Sequence, residues 1–324
     1  MHKWDIFDMI NIYHKERNDL DKNSKNSAYV AALLYAIIVG LSFLFTKVAL
    51  GISNPIDILA HRFIASFIAI SIPVLLKLVP VDFNKQRILK VLPLAILYPL
   101  CFFGFQTFGL QYATSSEAGI ILASAPVFTM IMASYFLDEK SNIYQKLSIS
   151  VSLFGVLYIT FKKGSTIDLA NIRGMILLLM SALSFSGYSI LARKLTKDYT
   201  TIELSFIMIT ISFIAFTSVA IIKNMTSGSM MEFLLPITSI KFIISILYLG
   251  ILSTLGTSLL TNFALSKLEA SKIIVFSNLG TVISIVAGVI FLKEEIFYYH
   301  IIGSLMIVGG VLGTNFLDKR SLKE

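Results

Sequence analysis

One stretch of this chain occurs twice. Residues 108–157 and 263–312 align without a gap at a fixed offset of 155. In that register Phe108/Phe263, Leu110/Leu265, Leu137/Leu292, Glu139/Glu294, Tyr144/Tyr299 and Gly155-Val156-Leu157/Gly310-Val311-Leu312 coincide. Each copy lies in a run of apolar segments long enough to cross a membrane. A duplicated set of such segments is the usual build of a secondary transporter, with its site between the copies near the bilayer midplane.

The composition agrees with that setting. Of 324 residues, 56% are hydrophobic and 14% charged, a balance outside the range of ordinary soluble domains. An apolar stretch of roughly 20 residues crosses about 30 Å of hydrocarbon as a helix. Ten such segments are read at 28–50, 57–79, 88–109, 115–137, 144–161, 172–193, 201–222, 241–264, 270–292 and 297–317. They are apolar on all sides, whereas barrel strands alternate apolar and polar. The expected fold class is an all-α integral membrane protein with ten transmembrane helices. Cys101, within the third segment, has no second cysteine to pair with and reads as a small buried hydrophobe.

The net charge of +8 is unevenly placed. With a cytoplasmic N-terminus, 19 Lys and Arg fall on the inside and 6 on the outside, leaving Lys47 and Arg62 within segments. Basic loops stay cytoplasmic, which puts both termini inside; the charge is a topology signal and calls for no nucleic acid. Residues 1–27, with five basic and five acidic side chains, hold no signal-peptide core. They read either as a loose tail or as a short interfacial helix presenting Trp4, Phe7, Ile10 and Tyr13.

Five segments precede the linker 162–171 and five follow it. An odd number per half turns the second half over, so the copies form two inverted five-helix repeats at 28–161 and 172–317, flanked by the cytoplasmic segment 1–27 and tail 318–324. Leu41-Ser42-Phe43 and Leu183-Ser184-Phe185 echo the same division. Inverted halves can exchange conformations, so that a gate closed on one side becomes a gate closed on the other.

Charged side chains within hydrocarbon each cost roughly 2.5–3.5 kcal/mol on insertion scales. Arg62 reads in two ways, as an anchor for a substrate carboxylate or as a structural cation on helix-end carbonyls. Lys47 reads as a gating charge or as a side chain snorkelling to the interface, and His61 as a packing residue. Glu139 and Glu294 occupy equivalent ends of segments four and nine, one inside and one outside, where each is a candidate gate or a solvated helix-end carboxylate. Among uncharged residues Gln106, Ser124, Ser184, Tyr188, Tyr248, Ser277 and Asn278 lie at intermediate depth. Each is either a substrate contact or interhelical glue. Phe102, Phe103 and Phe105 supply apolar walls beside Gln106, a lining suited to an amphipathic metabolite. Gly309 with Gly313, and Gly280, Ser284 and Gly288, read as close-packing positions. Pro93, Pro99 and Pro126 are expected to kink or break their helices. No carboxylate stands near the middle of a segment, which leans toward facilitated diffusion or exchange while leaving protons open as a coupling ion.

Three passages resemble the EamA-like branch of the drug/metabolite transporter superfamily. They are Gly40-Leu-Ser-Phe-Leu-Phe-Thr-Lys47 followed by Pro55 and Arg62; Ala113-Thr-Ser-Ser-Glu-Ala-Gly119 through Pro126 to Leu137-Asp-Glu139 and Gly155; and Ala264-Leu-Ser-Lys-Leu-Glu-Ala-Ser271 through Leu292-Lys-Glu-Glu295 to Gly309-Gly310. Val39 replaces the aromatic residue this family often places before Gly40, and Thr281 stands opposite Pro126. The resemblance implies a ten-span, five-plus-five transporter in the plasma (inner) membrane, without cofactor, whose partners are a small-molecule substrate and the lipid bilayer. It implies export of small organic metabolites, amino acids or related compounds first and amphipathic drugs second. A membrane enzyme finds no support in motifs: the histidines are His2, His14, His61 and His300, with no His-Glu-x-x-His pair, nucleophile elbow or phosphate loop. A non-transporting scaffold remains a distinct alternative, separated by a flux assay. The sequence leaves the oligomeric state open.

Overall fold

The computed structural model describes residues 6–77, 84–136, 142–163, 169–269, 273, 276–295 and 297–316. All regular structure among them is helical. Six described helices are long and apolar enough to cross a membrane: Asn26–Leu50, Pro55–Leu75, Lys85–Gly109, Ile172–Leu195, Thr201–Thr226 and Ile240–Lys267, which are spans one, two, three, six, seven and eight. Span four is divided into Ser115–Leu122 and Ala125–Phe136. Spans five, nine and ten are Ile143–Lys163, Ser277–Leu292 and Tyr298–Phe316. Span one belongs to a helix that begins at Ile6, so the segment expected as a separate tail or interfacial helix is continuous with the membrane helix.

Local chemistry sets the starts. Asn54 caps span two by accepting from the Asp57 amide at 3.2 Å, with Pro55 at the first helical position, where its missing N–H costs nothing. Thr200 does the same for Glu203 in span seven. Thr114 and Glu117 form a reciprocal capping box at span four, satisfying two amides that hydrocarbon would leave bare.

The prolines act where the sequence places them. Span three widens into a π-helical segment, Ile96–Cys101, around Pro99, with Tyr98 at non-helical φ −145, ψ 122. Span eight carries a second π-helical segment, Tyr248–Gly256. The repeat offset maps residues 96–101 onto 251–256, inside that segment, although Thr254 stands where the first copy has Pro99. There the Thr254 hydroxyl donates to the Leu249 carbonyl at 2.8 Å, taking up an acceptor the wide turn releases. In span four the break falls just before Pro126, which enters the second piece as its second residue.

Packing follows the inverted repeat. Span one lies against spans eight and nine, and span six correspondingly against spans three and four. Spans two and seven pack together, as do four and nine, and five and ten. Every such contact has its mirrored counterpart, as an axis in the membrane plane requires. At the crossing of spans one and nine, a Cβ on Gly40 would lie 2.7 Å from the Gly280 carbonyl oxygen. The expected packing role of Gly309 is corrected: among the described residues a Cβ there meets nothing within 4 Å, whereas one on Gly310 would lie 2.5 Å from the Ser148 carbonyl oxygen of span five. The close approach is made one residue along the helix.

Overpacking a fitted crossing costs about 1–3 kcal/mol. Gly40→Leu is therefore expected to lower the thermal midpoint of the detergent-solubilised protein by several degrees. Gly309→Ala should leave it unchanged. Size-exclusion chromatography after a temperature series reads both.

Candidate solute site between the halves

The centre of the molecule is an aromatic box floored by hydroxyls. Tyr98 and Phe102 of span three meet Phe185 and Tyr188 of span six, with the Tyr98 and Tyr188 rings stacked at 4.5 Å. Tyr35 of span one stacks on Phe185 at 5.9 Å. Tyr35, Val39, Phe43, Phe102, Phe185 and Thr281 border a cavity of about 10 Å³, room for about one water. The halves are closed upon each other there.

Span eight presents the floor. Ser253, Thr254, Thr257, Ser258, Thr261 and Asn262 recur at positions i, i+1, i+4, i+5, i+8 and i+9, and all are buried. That spacing lays one polar stripe along a helix. Tyr98 Oη lies 3.0 Å from Thr257 Oγ1. Tyr188 Oη donates to Asn262 Oδ1 at 2.7 Å, and Asn262 and Ser258 both donate to Ser205 Oγ of span seven.

Arg62 reaches the same stripe from span two. It is wholly buried, with Nε donating to Thr254 Oγ1 at 2.6 Å and Nη2 to Ser253 Oγ at 2.9 Å. The face of its guanidinium rests 3.6 Å from the Phe103 ring centroid, a favourable placement for a cation. Nη1 has no hydrogen-bond partner among the described residues. Neither Gln106 Nε2 nor Gln106 Oε1, one turn beyond Phe103, has one either.

The other sequence candidates lie elsewhere or act locally. Ser124 donates to Ile121 O at 2.7 Å and Ser184 to Met180 O at 2.8 Å, each within its own stretch of helix or break. Tyr248 donates across the halves to Ile38 O at 2.9 Å and stacks on Phe45. His61 Nε2 pairs with Phe233 O at 2.8 Å and its ring stacks on Phe233. Lys47 Nζ donates to Leu110 O and Ala113 O at 3.0 and 2.9 Å, capping the end of span three. Arg193 donates to Leu265 O, the repeat-equivalent of Leu110. Glu139 lies outside the described residues, as do the side chains of Ser277 and Asn278.

Each end of the molecule carries ties between the halves. At the end poor in Lys and Arg, the Glu294 carboxylate accepts from the Ser115 amide at 3.0 Å, from the Ser116 amide at 3.3 Å and from the Ser116 hydroxyl. A carboxylate on the positive end of a helix is favoured by its dipole. Beside it, buried Asp57 accepts from Asn224 at 2.8 Å and lies 3.7 Å from Lys223 Nζ. At the basic end Arg87 holds Glu203 through two bonds of 2.9 Å and lies over the Tyr199 ring. Asp57 and Glu203 are both third residues of the second span of their repeat. Sequence reasoning singled out Glu294 without its Ser115 and Ser116 partners, and missed the Asp57 and Arg87–Glu203 ties and the stripe; the four-residue hydroxyl spacing in 253–262 was the available signal for the last.

The profile of the EamA-like transporter family matches residues 26–161 and 172–316, one match per repeat. The chain belongs to the EamA-like transporter family. It is 42% identical over 301 residues to an uncharacterized transporter of Bacillus subtilis, YcxC, covering 93% of this chain and 96% of that one. An uncharacterized transporter of Archaeoglobus fulgidus is 27% identical, covering 84% of this chain and 92% of the relative. A solved crystal structure shares the fold at a TM-score of 0.70 and 15% identity, over 92% of this chain and 99% of that chain. The protein is thus a multi-pass membrane protein of a transporter family.

Asn262 bonds both Tyr188 and Ser205, and Ser205 also accepts from Ser258, so Asn262→Leu strands the buried Tyr188 hydroxyl at a cost of about 1–3 kcal/mol. Ser258→Ala removes one bond and is expected to cost about 1 kcal/mol. Comparing the two variants' thermal midpoints checks that ranking.

Proposed function

We propose that this protein is a secondary transporter that carries small organic metabolites, amino acids and related compounds first among them, outward across the plasma membrane by alternating access. The observation that carries the reading is the pairing of inverted halves around an aromatic box with a polar floor, tied at both ends. A carrier caught between its two open states has this arrangement. Family membership supports transport, and the mixed apolar and hydroxyl lining favours an amphipathic solute over an ion.

In this mechanism the ties exchange. Release of Glu294 from Ser115 and Ser116 frees spans four and nine at the end predicted to face outside. Glu139, its repeat partner, is proposed to do the same at the cytoplasmic end. The domain division follows the repeats, 28–161 and 172–317, so that each half moves largely as a body.

The test is uptake of a mixed metabolite pool into proteoliposomes holding the full chain, read by mass spectrometry with and without a pH gradient. Saturable accumulation of one compound class, with counterflow, is expected; a folded protein that moves nothing contradicts the reading. A pH-gradient dependence would assign protons as the coupling ion. Glu294→Gln and Glu139→Gln are expected to shift the accessibility of engineered cysteines at the two ends in opposite senses. Shifts of the same sense would reject the paired gate.

A further inference from the structure

We propose that Arg62 and Gln106 form the subsite for a single carboxylate of the transported solute, whose apolar body lies among Phe102, Phe103 and Tyr98. The inference rests on the carrier reading above and names the substrate class of that same centre. It begins from an imbalance. A wholly buried guanidinium pairs with hydroxyls, which carry no charge, and among the described residues no carboxylate forms an ion pair with it. Removing a cation from water without a counter-ion is expensive. A bound anion supplies that charge, and Nη1, the one guanidinium nitrogen not engaged by Thr254 or Ser253, supplies a charge-assisted donor to it.

Gln106 is the second, independent sign. Its amide is 1% exposed and unpartnered at both atoms among the described residues. Phe103 lies under Arg62, and Gln106 follows it by three residues in the helix Phe102–Gly109, so the two share a face. A free amide donates through Nε2 to the carboxylate and accepts through Oε1 from a neighbouring hydroxyl or ammonium. Both residues therefore hold unused capacity of the kind a carboxylic acid or zwitterion fills.

Charge bounds the ligand further. Lys47, the other basic residue that the sequence places inside a segment, is committed to the carbonyls of Leu110 and Ala113. One guanidinium balances one negative charge, which favours a monocarboxylate or amino acid over a dianion such as a phosphate monoester. The Tyr98, Phe102 and Phe103 rings lie with centroids 4.8–5.2 Å apart and are closed upon one another here, so the remainder of the solute meets these apolar faces when the halves part.

The experiment measures thermal stabilisation of the purified full chain by L-phenylalanine and L-leucine, set against phenylalaninamide and leucinamide. At least one acid is expected to raise the midpoint while its amide does not, because the amide lacks the negative charge. Arg62→Lys is expected to weaken that acid by about tenfold or more, since a point-like ammonium cannot hold Thr254 and Ser253 and also present a donor to the acid. Gln106→Met separates function from structure. Removing an unpaired buried amide should keep or raise the ligand-free midpoint, yet weaken the acid's effect. Equal stabilisation by acid and amide, unchanged affinity in both variants, or a lower ligand-free midpoint in Gln106→Met would overturn the subsite. No shift with either acid also overturns it. Counterflow of a solute without an acid group would do so too, while leaving the carrier reading intact.

Discussion

Hydrocarbon offers no hydrogen bonds, so each backbone carbonyl released inside it must find a side chain. This constraint organises the molecule. Where spans three, four and eight break or widen, the loose carbonyls are met from the opposite half. Ser66 of span two donates to Gly250 O and Arg62 to Ser253 O in the π-helical part of span eight. In the other direction, Ser181 donates to Phe102 O and Ser186 to Ala125 O, and Thr281 adds a second bond to Gly119 O, which already accepts from the Ala123 amide. The breaks in one repeat are sealed by hydroxyls of the other. The interface between the halves is thus held by bonds that exist because the helices are interrupted.

The same bonds give the centre its chemistry. A helix that stayed regular would hide its carbonyls and present only side chains; a wide turn exposes both, and needs polar residues beside it. Span eight answers with its hydroxyl stripe, and the stripe then serves as the floor of the box. The small energy of each such bond, about 0.6–2 kcal/mol in membranes, is compatible with exchange between states. Glu294 at one end and the Arg87–Glu203 pair at the other are stronger, charge-assisted contacts, and they stand where a gate would have to be.

Much of this was legible in the sequence, and the reasons differ by element. Ten spans, the inversion and the breaks at Pro99 and Pro126 follow from hydrophobic length, an odd span count and a missing N–H, which are properties of the chain alone. The π-helical turn in span eight was not legible, because Thr254 replaces the proline that announces its counterpart. Lys47 was read from its depth as a charge near the interface; its acceptors, Leu110 and Ala113, come from a different span and only folding brings them near. Asp57 drew no attention in the sequence, and it is buried because Asn224 and Lys223 arrive from span seven. Arg62 and Gln106 drew attention by residue type, yet only packing shows which of their donors remain unused.

The proposed transport cycle requires reciprocal opening of two halves sealed by their own broken helices. Distances between paired spin labels test it most directly, at Tyr112 and Lys293 on one end and at Lys85 and Lys197 on the other, in a Cys101→Ala background. The account predicts two populations at each end, with conditions that lengthen one pair shortening the other. Glu294→Gln should shift the Tyr112–Lys293 pair toward the longer distance. A single fixed distance at both ends, or both pairs lengthening together, would contradict it.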